Sequence, residues 1–143
     1  MFRSRRITAK PAVISMLIII ALATVLQANI RFYTIVQQVC NSYRVGVVMD
    51  KMRLTTEANG EKTFDLMLTS RRNNFEEVMM VGYIGVGQAV ARTNEPVKTI
   101  NITVSIPKAD NMLIMTTADI SLVNDLRLGK VKSSQFIRQL QWN

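Results

Sequence analysis

Few side chains in this 143-residue sequence could do chemistry. There is no histidine, and Cys40 is the only cysteine. Zinc sites of the Cys/His kind, a Ser-His-Asp triad, a histidine general base and an internal disulfide framework are excluded by that count. Carboxylates, lysines and tyrosines remain. The ten acids are Asp50, Glu57, Glu61, Asp65, Glu76, Glu77, Glu95, Asp110, Asp119 and Asp125. Nearly all fall at expected turns, helix starts or the wet faces of strands. Their spacing nominates no pair to face one cleft, as glycoside hydrolysis would need. Asp65 and Asp119 are the two whose burial decides whether they do more than hydrogen-bond. The run Gly82-Tyr83-Ile84-Gly85-Val86-Gly87 superficially suggests a phosphate cradle. No Walker lysine follows it, however, and its glycines sit inside a helical pattern rather than between strand and helix. Close helix packing is the better reading of those glycines. No catalytic, cofactor-binding or metal-ligating residue is nominated, so the expectation is a non-enzymatic protein with no cofactor and no small-molecule substrate.

Cys40 either pairs with another chain in an oxidising compartment or serves as a small buried hydrophobe, and burial is the favoured reading. Asn101-Ile102-Thr103 is formally a glycosylation sequon, relevant only on a eukaryotic secretory route.

The net charge of +8 points at first to nucleic acid or an anionic membrane. Its distribution removes the first. Residues 1–49 carry Arg3, Arg5, Arg6, Lys10, Arg31 and Arg44 and no acid, whereas residues 50–143 carry twelve basic and ten acidic residues. Arg71-Arg72 and Lys130-Val131-Lys132 are the only clusters in the latter part, with few aromatics nearby, and read as solvated faces. No nucleic-acid partner is expected.

Between Lys10 and Arg31 runs an uncharged apolar segment, PAVISMLIIIALATVLQANI. At 1.5 Å per residue it spans about 30 Å, the thickness of a hydrocarbon layer. The basic residues Arg3, Arg5, Arg6 and Lys10 ahead of it keep the N-terminus cytoplasmic by the positive-inside rule. Arg31, Phe32 and Tyr33 follow at once and suit the far headgroup level. The division expected is a basic cytoplasmic tail over 1–10, a transmembrane helix over 11–30, a helical stalk over 31–50 and an extracytoplasmic domain over 51–143. The location is a cell inner membrane, with the mitochondrial inner membrane as the alternative. A cleaved signal peptide ending at Ala21-Leu22-Ala23 competes, although the apolar run continues past it.

Past the membrane, Phe32, Ile35, Val36, Val39, Cys40, Tyr43 and Val47 recur at helical spacing. The helix is expected to continue to between Gly46 and Asp50. Its apolar face, Ile35, Val36, Val39, Cys40 and Tyr43, packs either on the protein's own domain or on a partner subunit. Asn59-Gly60 signals a hairpin between strands over 52–58 and 61–69. Asn73 or Asn74 is placed to cap a helix from Phe75 to about Arg92, with Glu76 and Glu77 in its first turn. Val97 to Ile106 alternates cleanly between apolar and polar residues, and Met112 to Thr117 reads as its central hairpin partner. Thr117 or Asp119 can cap a short helix that Gly129 stops, and Ser133 starts a last one. The fold class expected is α+β: a transmembrane helix continuing as a stalk, then two antiparallel β-hairpins with helices in a two-layer ββαββα domain.

In its basic start, long half-buried N-terminal helix and antiparallel sheet, this layout is similar to type IV pilins, but it lacks their glycine cleavage site and the glutamate that follows. Energy-transducing single-span subunits with small periplasmic domains are similar too, but they depend on a membrane acid that Ala12 to Ile30 lacks. The function expected is a membrane-anchored accessory or scaffolding subunit whose partners are the lipid bilayer and other protein subunits. A pilin-like filament subunit and a secreted binding module are the alternatives.

Overall fold

A computed structural model describes residues 10–143, apart from the side chains of 24–26. The first element, α1, is a single helix of 32 residues, Pro11–Ser42, about 48 Å long. Proline at its first position has no N–H to leave unsatisfied. The helix stops earlier than its apolar stripe suggests. Arg44 adopts the left-handed conformation at φ 58°, and the N–H groups of Arg44 and Val45 donate back to the carbonyls of Asn41 and Cys40. The chain then leaves as a two-residue strand, β1 (Gly46–Val47), antiparallel to Thr69 and Leu68.

After a single 3-10 turn at Met49–Lys51 come β2 (Arg53–Thr56) and β3 (Lys62–Thr69), joined through Asn59-Gly60 with Gly60 at φ 84°. A helix, α2 (Phe75–Thr93), leads into β4 (Val97–Ile106), and β5 (Met112–Asp119) returns antiparallel to β4. Two short helices, α3 (Ile120–Arg127) and α4 (Ser133–Gln139), precede β6 (Gln141–Trp142).

The architecture is α+β with one mixed six-stranded sheet of order β1-β3-β4-β5-β6, β2 also pairing with β3. This corrects the expectation of two antiparallel hairpins alone. The 19-residue α2 carries the chain back along the sheet, so β3 and β4 pair in parallel, Phe64 beside Ile100 and Leu68 beside Val104. A second correction concerns β5, which is not central. The two-residue β6 pairs with Thr116 and Thr117, and the Asn143 N–H donates to the Met115 carbonyl at 3.0 Å, leaving Met112 and Leu113 exposed on an open edge.

One face of the sheet carries the core. Phe64, Leu66 and Leu68 of β3 and Ile100, Ile102, Val104 and Ile106 of β4 are buried beneath the helices. At the centre lies α2, whose three glycines each admit a different neighbour. A Cβ on Gly82 would stand 2.7 Å from Leu68 Cδ1 of the sheet, one on Gly85 3.5 Å from the Val36 carbonyl of α1, and one on Gly87 3.0 Å from Val123 Cγ1 of α3. The helix-propensity cost of about 1 kcal/mol per glycine is offset at Gly82 and Gly87, where the neighbour stands closer than a Cβ would comfortably allow, while at Gly85 the contact would be ordinary. The opposite face of the sheet is uncovered. Across it runs a polar ladder: Asn101 Nδ2 donates to Asp65 Oδ1 at 2.9 Å, Thr117 Oγ1 to Asn101 Oδ1 at 2.7 Å, and Asn143 Nδ2 to Thr117 Oγ1 at 3.3 Å.

Candidate functional site

Two regions of the molecule have properties that packing alone does not explain: the first part of α1 and a basic cleft at the far end of the domain. In the first, Val13, Ile14, Met16 to Ile20, Leu22 and Ile30 are 50% to 66% exposed, around the whole helix. Among the described residues this is the one helix long and apolar enough to cross a membrane. Lys10 precedes it in extended conformation. Arg3, Arg5 and Arg6 lie outside the described residues.

The residues expected at the far headgroup level divide. Arg31 is exposed beside Arg92 in a shallow groove. Phe32 is instead fully buried, with its ring 4.9 Å from that of Phe64. The Tyr33 hydroxyl accepts the Leu54 N–H at 3.0 Å. These two aromatics hold α1 to β2 and β3 rather than facing lipid.

The apolar face proposed for a partner is covered by the chain itself. Ile35, Val36, Val39 and Cys40 are all buried in the core, where α2 and the sheet cover them. Tyr43, just past the last turn, is exposed. The packed core therefore begins at Phe32, not at residue 51. Burial pushes the Cys40 thiol up to about 11, which keeps it protonated and unreactive near neutral pH.

The helices α1 and α2 run antiparallel. Tyr43 and Arg44 share a groove with Asn74 and Glu77, while Ile30 and Arg31 share one with Arg92. The domain thus has an entry end, where α1 arrives and β3 and β4 begin, and a far end, where they finish.

At the entry end the charges pair. Lys62 Nζ lies 2.7 Å from Glu95 Oε2, and Lys98 Nζ 3.0 Å from Glu61 Oε1. The hydrogen bond from Lys98 holds the Glu61 carboxyl below its usual range. Asp119 Oδ1 accepts the Ser121 N–H at 2.8 Å and caps α3, and that backbone bond lowers its carboxyl. Asp65 is half-buried in the polar ladder. Both acids singled out for burial therefore have structural bonds.

At the far end the charges do not pair. A cleft of about 760 Å³ is lined by Arg44, Arg71, Arg72 and Lys108, with Asp110 as its one carboxylate. None of these cations forms an ion pair among the described residues. Val45, Val78, Pro107 and Ala109 supply an apolar lining. The start of α2 lies here too. Asn74 holds its cap position, yet the Asn74 Oδ1 accepts from the Ser70 hydroxyl and the Arg71 N–H, both at 3.0 Å. No side chain caps the first-turn amides, whose positive end of the helix dipole adds to the cleft's field, partly offset by Glu76 and Glu77.

Sequence reasoning treated Arg71-Arg72 as an ordinary solvated face. The signal it lacked is spatial: Arg44 follows α1 and Lys108 lies in the β4–β5 turn, and only the fold brings these loops together.

Comparison with protein-family models, with curated proteins and with solved structures finds no match for this chain.

Proposed function

We propose that this chain is a single-pass, membrane-anchored, non-enzymatic accessory subunit of a larger membrane or envelope assembly. Residues 11–30 span the inner membrane, the N-terminus is cytoplasmic, and the α+β domain stands on the outer side. The observation that carries this reading is the continuity of α1. One unbroken helix is bare and apolar over its first part and wedged into the domain core over its last turns. A contiguous apolar surface of that size is unfavourable in water and favourable in lipid. The basic residues Arg3, Arg5, Arg6 and Lys10 give the direction of insertion. The non-enzymatic part rests on the missing histidine, the buried thiol and the structural bonds of Asp65, Asp119, Glu61 and Glu95.

The test is expression of the full chain with a C-terminal tag, followed by carbonate extraction, protease accessibility of the tag, intact mass and native purification. The expected result is a carbonate-resistant protein with residues 1–23 retained, its tag reachable only from the outer side, and other subunits co-purifying. A soluble product lacking residues 1–23 would instead mean a secreted module. A processed, N-methylated terminus would mean a pilin-like filament subunit, and a stable lone monomer in detergent would overturn the accessory role.

A further inference from the structure

We propose that the far-end cleft is a docking site for an acidic segment of a partner protein, one that also carries an apolar anchoring side chain. This rests on the reading of the chain as an accessory subunit and names the chemistry of what it holds. Charge complementarity is the argument. The two ion pairs among the described residues lie at the entry end, whereas Arg44, Arg71, Arg72 and Lys108 meet at the far end around one carboxylate. Cations left unpaired around a concave surface attract carboxylates and discriminate against other cations. The apolar lining from Val45, Val78, Pro107 and Ala109 gives such a segment a place for one hydrophobic side chain.

Two features favour a peptide over a small anion. The four cations come from three separate loops around an open rim rather than converging on one point. No buried side-chain polar atom among the described residues lacks a partner, so none waits at the floor for a phosphate. The headgroups of the chain's own bilayer are out of reach. From Arg31 to Ser42, α1 rises about 17 Å away from the proposed membrane surface before the cleft begins.

The full chain in nanodiscs is titrated, by fluorescence anisotropy, with a library of short peptides. They mix Glu and Asp with one Leu or Phe at varied positions, beside isosteres in which Gln and Asn replace the acids. The expected result is that the best acidic peptides bind about tenfold or more tighter than their isosteres at low salt and weaken as salt rises. R71E/R72E should abolish that preference, while K130E/K132E, which do not line the cleft, should retain it. The proposal is overturned if no acidic peptide exceeds its isostere, or if R71E/R72E binds like the parent. It is also overturned if pyrophosphate outcompetes every peptide, which would make this a small-anion site. Self-association that R71E/R72E removes would make the occupant a second copy, and overturn it likewise. None of these variants touches α1. A protein that integrates and co-purifies with its subunits, yet prefers no acidic peptide, sinks this inference alone.

Discussion

The two parts of α1 share one backbone and obey opposite rules. Over the first turns of the helix, from Val13 to Leu22, large apolar side chains are exposed on every side, whereas from Arg31 to Ser42 a single stripe is buried and the rest is polar. All-round apolarity matches a solvent that is itself apolar. A stripe matches a partner that covers one side, here α2 and the sheet. The change falls at Arg31, the first charge after the apolar run. Hydrophobic content alone would not have located it, since Phe32, Ile35, Val36 and Val39 are as apolar as what precedes them.

The sharpest way to break the comparison is to charge the first part. I18R/L22R places two arginines in a segment where each costs about 2.5–3.5 kcal/mol of insertion. The carbonate-resistant fraction should collapse while the domain's melting transition stays in place. The reciprocal change is Phe32→Ala, which truncates a fully buried ring. It should cost about 3–5 kcal/mol, lowering the domain's melting temperature by more than about 12 °C without releasing the protein from membranes. Ile18→Ala, by contrast, should leave that temperature within error. If both parts answered both assays, the division at Arg31 would be wrong.

Smaller effects refine how α2 receives the buried stripe. Gly82→Ala forces a Cβ into Leu68 and Ile102 at 2.7 and 2.9 Å. It should lower the denaturant midpoint, overpacking of about 1–3 kcal/mol outweighing the propensity gain. Gly85→Ala meets Val36 and Val39 of α1 at 3.5 Å, ordinary contact, and should raise stability by up to about 1 kcal/mol. Asp119→Ala removes the α3 cap and should cost about 1 kcal/mol near neutral pH. Because its folded carboxyl is lowered, that contribution is full above the ordinary carboxylate range and fades as pH falls through the lowered value. The parent and the Asp119→Ala stability curves should therefore converge in acid. Smallest of all, Cys40 should stay unlabelled by a thiol reagent at pH 8 until denaturant opens the α1–α2 contact, since its thiol titrates at about 11.

Where local pattern decides structure, the sequence was legible. Val97 to Ile106 forms a strand with the bounds its alternation implies, and α2 ends one residue beyond its expected close. The stripe from Phe32 to Cys40 is buried as its spacing requires. What escaped depends on neighbours that are distant in the chain. The strands β1 and β6 have two residues each, and their extended form comes from the strand they pair with. Met112 to Thr117 looked central because it is apolar, yet its start, Met112 and Leu113, lies along an uncovered edge. Parallel pairing of β3 with β4 is a property of where α2 lies, not of either strand's composition. The basic cleft is the strongest case, since three loops contribute to it and each reads as unremarkable alone.

The open edge of β5 acquires a further meaning from symmetry. In the proposed arrangement every copy stands the same way up in one bilayer, so a two-fold axis relating two copies must run along the membrane normal. The strands β3 and β4 run from the entry end to the far end, as α1 does, and β5 runs back beside them. Joining two β5 edges antiparallel would need an axis across the strands, which would turn one copy's anchor away from the membrane. Tethering thus protects the edge at Met112 and Leu113 from edge-to-edge pairing, the task that lysines, prolines and bulges perform on soluble sheets. Freed of its first thirty residues, the domain would lose that orientation, and this strand would become its first route to aggregation.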